Sequence, residues 1–203
     1  MPKKVLNLYA GIGGNRKLWK DVDVTAVEIE PTIAHIYSDY FPDDKVIVAD
    51  AHQYLLDHYK DGWDFIWSSP PCPTHSRARF WGWKETKPIY PDMKLYQEIL
   101  LLKHYYCGNY CVENVIPYYE PLMRAQEIGR HYVWASYLIG TPDFSLQKLT
   151  KAGDIKELEI HHNISIKKYK IKDERKILRN MMNSELGKHI FDCAFKIKQE
   201  RLF

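Results

Sequence analysis

The chain has 203 residues, of which 45% are hydrophobic and 27% are charged, and it contains four cysteines. This length and composition fit one globular domain, residues 1–203, and leave little room for a second. The cysteines lack the C-x-x-C spacing and the histidine partners of a zinc finger, which argues against a metal site and against a secreted disulfide framework. No apolar run approaches the length of a membrane span, so we expect a soluble protein in a reducing cytoplasm.

Charge is distributed unevenly along the chain. Residues 1–140 carry 15 Lys and Arg against 17 Asp and Glu, whereas residues 141–203 carry 14 against 9. Seven basic residues fall between positions 167 and 179, where only Asp173 and Glu174 offset them. Such a stretch is typical either of a surface that binds a polyanion or of an ordinary solvated face.

The first half of the chain alternates apolar runs with helical stretches. The runs VLNLYA, VTAVEIE, VIVADA and WDFIWSS predict four strands, and helices are predicted after the glycine loop, from Pro31, and up to Lys60. Because these runs lack polar alternation, they are typical of strands buried on both faces of a parallel sheet. The sequence therefore predicts an α/β fold, a mostly parallel sheet with helices on both faces.

The second half contains three further predicted elements. Apolar positions between Met93 and Tyr106 recur at helical spacing, NYCVENV is a compact apolar run, and another helical pattern begins at Glu185. These patterns predict a helix, a fifth strand and a C-terminal amphipathic helix. The stretches 73–92 and 141–174 have the least pattern, and we expect loops or small excursions from the sheet there.

Three successive strand ends carry residues suited to an adenosine group. A loop, Tyr9–Gly14, follows the first strand, Glu28 ends the second, and Asp50 ends the third. Glycines let backbone amides approach a ligand closely, while the carboxylates are placed to bind ribose hydroxyls and an exocyclic amine. The loop taken alone fits a tight strand-to-helix turn as well. Together the three positions predict a nucleotide-type cofactor at the open edge of the sheet.

The fourth and fifth strands end in residues suited to covalent chemistry. Cys72 lies in SSPPCP, where the prolines hold it rigidly, and Arg77 and Arg79 are expected to lower the pKa of its thiol. Glu113 ends the fifth strand. A thiolate and a carboxyl group suit an addition to an electron-poor ring, in which sulfur attacks the ring and the acid protonates or hydrogen-bonds a ring nitrogen. The alternative is a buried, inert cysteine.

The motifs YAGIGG, VEIE, ADA, SSPPCP and ENV occur in this order, and over about residues 1–118 the chain resembles the cytosine carbon-5 methyltransferases. The resemblance implies a Rossmann-like methyltransferase fold that binds S-adenosylmethionine. It implies that Cys72 adds to carbon 6 of cytosine and that Glu113 binds ring nitrogen 3 and the amine. The implied cofactor contacts are Tyr9, Ala10, Gly11, Gly13, Gly14, Glu28, Ile29, Asp50, Ala51, Pro70 and Asn180.

The resemblance is weaker after residue 118. The family's Gln-x-Arg-x-Arg motif, whose last arginine contacts the cytosine carbonyl, has no literal copy here. Arg130 is the best substitute for that arginine. The alternative is that Arg130 is a salt-bridged surface arginine. The segment from Arg179 to Asn183 resembles the family's closing Gly-Asn-Ser-Val element, with only Asn180 in common. We therefore expect residues 175–203 to return to the cofactor pocket as a C-terminal helix.

The family's target-recognition lobe is reduced here to residues 141–174. Apolar residues alternate imperfectly with lysines between positions 164 and 172, which predicts a small basic flap of one or two hairpins. The segment 77–94 interleaves basic and aromatic residues, a composition suited to phosphates and unstacked bases or else to local packing. In the family this segment closes over the flipped base. The predicted nucleic-acid contacts are Ser76, Arg77, Arg79, Trp81, Lys167, Lys168 and Lys170.

These features predict an enzyme that methylates carbon 5 of cytosine in DNA, with short or relaxed sequence specificity because the recognition segment is small. A second copy of the chain or a partner chain is the alternative source of specificity. Two other functions stay open: an RNA (tRNA) cytosine methyltransferase, and a catalytically weak nucleic-acid-binding module. The small size favours a compact genome such as a phage or mobile element, and we expect the protein on the DNA of a prokaryotic or phage-infected cell.

Overall fold

The computed structural model describes residues 1–77, 89–144 and 154–196. The strands in these ranges are β1 (Lys3–Leu8), β2 (Val22–Glu28), β3 (Lys45–Val48), β4 (Phe65–Ser68), β5 (Asn109–Val115), β6 (Gln126–Ile128) and β7 (His131–Ala135). The helices are α1 (Pro31–Tyr40), α2 (Ala51–His58), α3 (Lys94–Tyr105), α4 (Ile155–His162), α5 (Glu174–Asn180) and α6 (Ser184–Phe195). None of these helices is long and apolar enough to cross a membrane.

The described strands form one sheet in the order β3-β2-β1-β4-β5-β7-β6. β1 pairs in parallel with β2 and β4, and β4 pairs in parallel with β5, whereas β7 runs antiparallel to both of its neighbours. The order β3-β2-β1-β4-β5 is that of the Rossmann fold, in which ligands bind where the strand order reverses, at the carboxyl ends of β1 and β4. The predicted α/β fold with a mostly parallel sheet is confirmed.

Alternate residues of the strands pack into hydrophobic layers on the two faces of the sheet. On one face, Leu8 and Ile66 pack with side chains of α2 and α3, among them Leu102. On the other face, Trp67 packs with side chains of α6, among them Ile190. Burial of each large apolar side chain stabilises the fold by about 1.5–3 kcal/mol. The prediction of helices on both faces is therefore confirmed.

The segment after β1 forms turns over residues 11–18 and not the predicted helix. Gly11 and Gly13 have φ angles of 54° and 81°, which an α-helix does not accommodate. The nearby face of the sheet is covered by α6 instead. Trp19 stacks on Phe191 of that helix with ring centroids 4.8 Å apart and donates from its indole N–H to the Gly187 carbonyl. The C-terminal helix α6 thus covers the part of the sheet that a helix directly after the glycine loop was predicted to cover.

The described part of the predicted flap, residues 154–174, contains α4 and a short 3₁₀ turn, and the predicted hairpin is wrong. The chain leaves α4 at Asn163, which has a φ of 46°, and Ile164 and Ile166 then fold back into a small core with Leu178 of α5. The alternating apolar residues are therefore buried against helices and do not line one face of a strand. The predicted single C-terminal helix is two helices, α5 and α6.

Candidate active site

The glycine loop after β1 is shaped by positive φ angles and by close packing. Gly11 faces open space, whereas a Cβ at Gly13 would lie 2.1 Å from the Phe41 ring. A Cβ at Gly14 would lie 2.5 Å from the Met181 side chain. Only glycine therefore lets the segment between α5 and α6 pack directly on this loop.

Glu28, at the end of β2, holds the glycine loop in place. Its Oε2 accepts from the Gly11 N–H at 2.9 Å, and its Oε1 accepts from the Glu30 N–H at 3.0 Å. Each carboxylate oxygen keeps a second lone pair, so the group can also accept hydrogen bonds from ribose hydroxyls. The residue predicted to bind ribose thus also stabilises the loop.

Two cavities adjoin at the carboxyl ends of the strands, with volumes of about 230 Å³ and 130 Å³, and Tyr9 lines both. Of the predicted cofactor residues, the larger cavity is lined by Tyr9, Ala10, Gly11, Gly14, Glu28 and Asn180. The smaller cavity is lined by Tyr9, Ile29, Asp50, Ala51 and Pro70. The larger cavity also reaches Ser69 and Glu113, so the structure brings residues from all the predicted strand ends to one place.

Asp50 is the N-cap of α2, two residues beyond the end of β3. Its Oδ1 accepts from the Gln53 N–H at 3.0 Å, and the Lys94 ammonium lies 3.7 Å from its Oδ2. The Gln53 hydrogen bond is the largest of the effects that lower the pKa of this carboxyl. Asp50 is therefore ionised at neutral pH, and its side chain is 46% exposed, which leaves it open to an amine donor in the smaller cavity.

A buried carboxylate behind the loop fixes the Tyr9 ring. Glu98 of α3 is fully buried and accepts from the Tyr9 hydroxyl at 2.6 Å and from the Ser68 hydroxyl at 2.5 Å. The His52 Nδ1 atom lies 2.9 Å from the same carboxylate. Burial raises the pKa of Tyr9 far above its ordinary value, with Glu98 adding to the effect, so the hydroxyl stays protonated. Sequence reasoning missed this network because the Tyr9–Glu98 contact spans 89 residues.

Cys72 lies in a turn that is anchored to the segment after β5. Its carbonyl accepts from the His75 and Ser76 N–H groups, both at 3.0 Å. Ser76 then forms an isolated β-bridge with Pro117, which follows β5. The turn therefore holds the cysteine next to the strand that carries Glu113.

The pKa of the Cys72 thiol is raised, first by burial and then by the nearby Glu113 carboxylate. Arg130 and Lys176 act in the opposite direction but do not overcome burial. The expected lowering of this pKa is therefore wrong. Among the described arginines, Arg130 has the largest effect on the thiol, and Arg79 lies outside the described residues.

Glu113 is buried on β5, yet its carboxylate borders the larger cavity. Its Oε1 lies 2.5 Å from the His131 Nδ1 atom, and its Oε2 accepts from the Ser69 hydroxyl at 3.0 Å. Burial alone would raise the pKa of this carboxyl, but His131, Ser69 and Arg130 outweigh burial and hold the pKa below its usual value. The group is therefore a carboxylate at neutral pH.

Arg130 occupies the two-residue turn between β6 and β7, directly after Gly129 with its φ of 62°. Its Nε–H donates to the His131 Nε2 atom at 3.4 Å. Its positive charge lowers the pKa of both Cys72 and Glu113.

Sequence reasoning did not single out Ser69 and His131. Ser69 lies inside the SSPPCP motif, and His131 directly follows Arg130, so both were next to predicted site residues. No sequence pattern marks either residue, because each is notable only for a contact with Glu113 that the pairing of neighbouring strands creates.

The predicted nucleic-acid contacts are dispersed in the structure. Lys168 pairs with Asp39 at 2.9 Å, and Lys167 pairs with Glu159 at 3.4 Å. Lys170 is exposed. Ser76 belongs to the Cys72 turn, and Arg77 directly follows it. Arg79 and Trp81 lie outside the described residues.

An open groove of about 770 Å³ beside α5 contains the basic residues that sequence reasoning did not assign. The groove is lined by Lys172, Arg175, Lys176 and Arg179, together with Asp173, Glu174 and Asn180. Asn180 also lines the larger cavity, and the Lys176 charge lowers the pKa of the Cys72 thiol. The groove therefore adjoins the larger cavity at Asn180. Its only signal in the sequence was the high density of basic residues between 167 and 179.

Residues 3–88 match the family model described as C-5 cytosine-specific DNA methylase. The curated protein sequences contain no match to this chain. Similar solved structures include a hypothetical protein of Thermus thermophilus, with 17% identity over 66% of this chain and 74% of that chain and a TM-score of 0.46.

Two other similar structures are described as methyltransferases. One is the putative methyltransferase yhhF of Escherichia coli, with 16% identity over 66% of this chain and 74% of that chain and a TM-score of 0.42. The other is the Dnmt2 methyltransferase of S. pombe, with 21% identity over 57% of this chain but only 35% of that chain and a TM-score of 0.43. At TM-scores below 0.5, none of these likenesses bears on activity.

The family match covers the strands that carry the glycine loop, Glu28, Asp50 and Cys72. The cofactor of this family is S-adenosylmethionine, and the donor set fits it, because the paired cavities offer two carboxylates and an open backbone position at Gly11. The predicted resemblance is thus confirmed over residues 3–88, which match the C-5 cytosine-specific DNA methylases, and the described strands have the Rossmann-like order expected of a methyltransferase fold.

Proposed function

We propose that this chain transfers a methyl group from S-adenosylmethionine to carbon 5 of cytosine in DNA through a covalent adduct of Cys72. One observation carries the proposal: the larger cavity is bordered by Gly11 and Glu28 on one side and by Ser69 and Glu113 on the other. The residues proposed to hold the cofactor and a residue proposed to act on the base therefore share one cavity.

S-adenosylmethionine, when bound, supplies an electrophilic methyl group on a sulfonium centre. In this chain Glu28 would accept hydrogen bonds from the ribose, and Asp50 would accept from the adenine amine. Tyr9 and Pro70 would border the cofactor, and Asn180 would close the cavity from the end of α5.

Cys72 and Glu113 are proposed to act together on the cytosine ring. The Cys72 sulfur forms a bond to carbon 6, the electron pair of the 5,6 double bond moves into the ring, and Glu113 delivers a proton to ring nitrogen 3. Once carbon 5 carries the methyl group, its proton passes to solvent, the 5,6 double bond re-forms and Cys72 is expelled as a thiolate. Ring nitrogen 3 returns its proton to Glu113, which restores the starting protonation of both residues.

The resting protonation state is the opposite of the one that this step needs. The raised pKa of Cys72 and the lowered pKa of Glu113 favour a thiol beside a carboxylate. The addition needs a thiolate beside a protonated carboxyl group. The active form is therefore the one in which a single proton has moved from sulfur to the carboxylate, with no net change in charge.

The basic groove beside α5 supports a nucleic acid as the substrate polymer. Lysine and arginine side chains along such a groove bind phosphates, which position a polymer without reading its sequence. The segment available for reading base edges, residues 141–174, is short, and Lys167 and Lys168 are already paired with acidic side chains. We therefore propose a short or relaxed recognition sequence.

An assay with the purified chain and radiolabelled S-adenosylmethionine tests the proposal on duplex DNA, single-stranded DNA and tRNA. We expect the label in 5-methylcytosine of duplex DNA. Label in tRNA alone would establish the RNA alternative, and cofactor binding without transfer to any polymer would establish the catalytically weak binding module.

DNA that contains 5-fluorocytosine tests the covalent step separately. Fluorine at carbon 5 cannot leave as a proton, so elimination is blocked and the sulfur–carbon bond persists. We expect a complex that survives denaturation and carries the DNA on the peptide containing Cys72. An enzyme that methylates cytosine but forms no such complex would contradict the covalent mechanism.

A further inference from the structure

We propose that His131 is a positioning residue that holds the Glu113 carboxylate in the orientation required for its action on the cytosine ring. This inference rests on the proposed function, since it assigns a role within the same site. It concerns a residue outside the motifs that carry the family resemblance.

The sheet places the two side chains on one face. Glu113 of β5 pairs with Val133 of β7, and Val115 pairs with His131. Residues two apart on a strand point to the same side, so His131 lies diagonally across from Glu113. The imidazole Nδ1 and the carboxylate Oε1 are 2.5 Å apart, and both residues are only 8% exposed.

The second carboxylate oxygen also accepts a hydrogen bond. Oε2 accepts from the Ser69 hydroxyl at 3.0 Å, and the Ser69 oxygen in turn accepts from the Trp67 indole N–H at 2.7 Å. With one oxygen fixed from β7 and the other from the end of β4, the plane of the carboxylate cannot rotate freely. A carboxylate held in this way presents fixed lone pairs to the cavity that it borders.

Arg130 determines which imidazole nitrogen carries the hydrogen. The arginine Nε–H can only donate, and it points to the His131 Nε2 atom at 3.4 Å, so Nε2 is the acceptor. The ring hydrogen of neutral His131 is then on Nδ1, which donates to Glu113. Arg130, His131 and Glu113 thus form a directed chain from the turn before β7 to the cavity.

The electrostatic surroundings of Glu113 agree with this geometry. The charged, titratable or hydrogen-bonding groups around it are Ser69 from the end of β4, Cys72 from the following turn, Cys111 from β5 itself, His131 from β7 and Arg130 from the turn before β7. Burial would raise the pKa of the carboxyl, and His131 is the first of the groups that reverse this effect. Loss of the imidazole would leave a buried carboxylate with fewer donors.

Three substitutions of His131 distinguish positioning from simple packing. His131→Asn keeps an N–H donor near the place of Nδ1, His131→Gln moves the donor toward the place of Nε2, and His131→Leu removes it. Glu127→Gln, an exposed change on the neighbouring strand β6, is the matched control. Cofactor affinity is measured for every variant to establish that the glycine loop is intact.

We expect His131→Leu to lower kcat by about ten- to hundredfold with little change in the KM for DNA, as expected when a reacting group is misplaced. His131→Asn should recover most of this loss and His131→Gln should not. A ¹³C NMR titration of the side-chain carboxyls, with the Glu113 signal assigned by Glu113→Gln, should show a higher Glu113 pKa in His131→Leu and a nearly normal one in His131→Asn.

The titration does not depend on methyl transfer, so it tests the His131–Glu113 link even if the proposed function fails. A Glu113 pKa that is unchanged in His131→Leu would overturn the proposal. Equal kcat values for His131→Asn and His131→Gln would overturn it as well, since packing alone does not distinguish where the donor lies. If His131→Leu does not fold, the contrast between the two amide variants decides the question.

Discussion

Gly187 of α6 lies directly against the backbone of Asn15, so that a Cβ at position 187 would be 2.7 Å from both the Cα and the carbonyl oxygen of Asn15. The C-terminal helix therefore packs on the backbone that follows the glycine loop. Two residues from opposite ends of the sequence thus pack together behind the glycine loop, and we expect the loop conformation to depend on this contact.

Gly187→Ala should destabilise the fold because backbone atoms cannot yield to the added methyl group. We expect a loss of about 1–3 kcal/mol in the free energy of unfolding, the usual range for overpacking. Urea denaturation measures it. Gly140→Ala is the matched control, since a Cβ there meets no atom within 4 Å, and it should change stability little. Equal effects of the two changes would contradict the packing argument.

Glu28→Gln should weaken S-adenosylmethionine binding by about ten- to hundredfold, because it removes a charged acceptor that also orders the loop through Gly11. Asp50→Asn should weaken S-adenosylmethionine binding less, since the Asp50 carboxylate is nearly half exposed and a hydrogen bond to it is screened by solvent. Calorimetric titration measures both affinities. Asp57→Asn, on the same helix as Asp50 but outside the cavities' linings, serves as the control and should bind normally.

Cys72→Ser should abolish methyl transfer while cofactor affinity stays nearly intact, because an alcohol is a far weaker nucleophile and the cofactor cavities are lined by other residues. Transfer of radiolabelled methyl groups and calorimetry give the two readings. Cys107→Ser changes an exposed cysteine and should leave both unaltered. Normal turnover in Cys72→Ser would exclude the covalent route.

The pH profile of kcat/KM should be a broad plateau. His131, Ser69 and Arg130 lower the pKa of Glu113, burial raises the pKa of Cys72, and the active form carries one proton between the two groups. Between the two pKa values the fraction in the active form is constant. Below the Glu113 pKa and above the Cys72 pKa, the rate should fall about tenfold per pH unit. Single-site kinetics on DNA measure the profile.

A rate that instead climbs about tenfold per unit from about pH 6 to 9 would mean that only the thiolate is required. Glu113 would then act as a hydrogen-bond acceptor for the cytosine amine and would not deliver a proton. The profile therefore separates two roles for the same carboxylate.

Lys176→Gln should weaken DNA binding and reduce its dependence on salt, because a lysine that contacts one phosphate contributes about 0.9 to the slope of log K against log salt concentration. Lys168→Gln is the control: that lysine is paired with Asp39, and we expect a smaller effect. Fluorescence anisotropy over a range of salt concentrations measures both slopes. A larger effect for Lys168 would place the nucleic acid on the segment before α5 and not in the groove.

The sequence alone determined the fold class and the strand ends that form the proposed cofactor site, because both follow from local patterns. Apolar runs without polar alternation predicted the buried strands, and β1, β2 and β4 lie where these runs lie. Tyr9–Gly14, Glu28 and Asp50 came together because parallel strands present their carboxyl ends at the same edge of a sheet. No long-range contact had to be known for that inference.

The tertiary structure alone decided what surrounds these groups. The His131–Glu113 contact, the Glu98 network behind Tyr9 and the raised pKa of Cys72 all arise from residues far apart in sequence that packing brings together. The same is true of α6, which takes up the sheet face beside the glycine loop, and of Lys168, which is held by Asp39. Periodicity indicates which face of an element is buried, but not which distant side chain covers it, and the chemistry of a buried group depends on that partner.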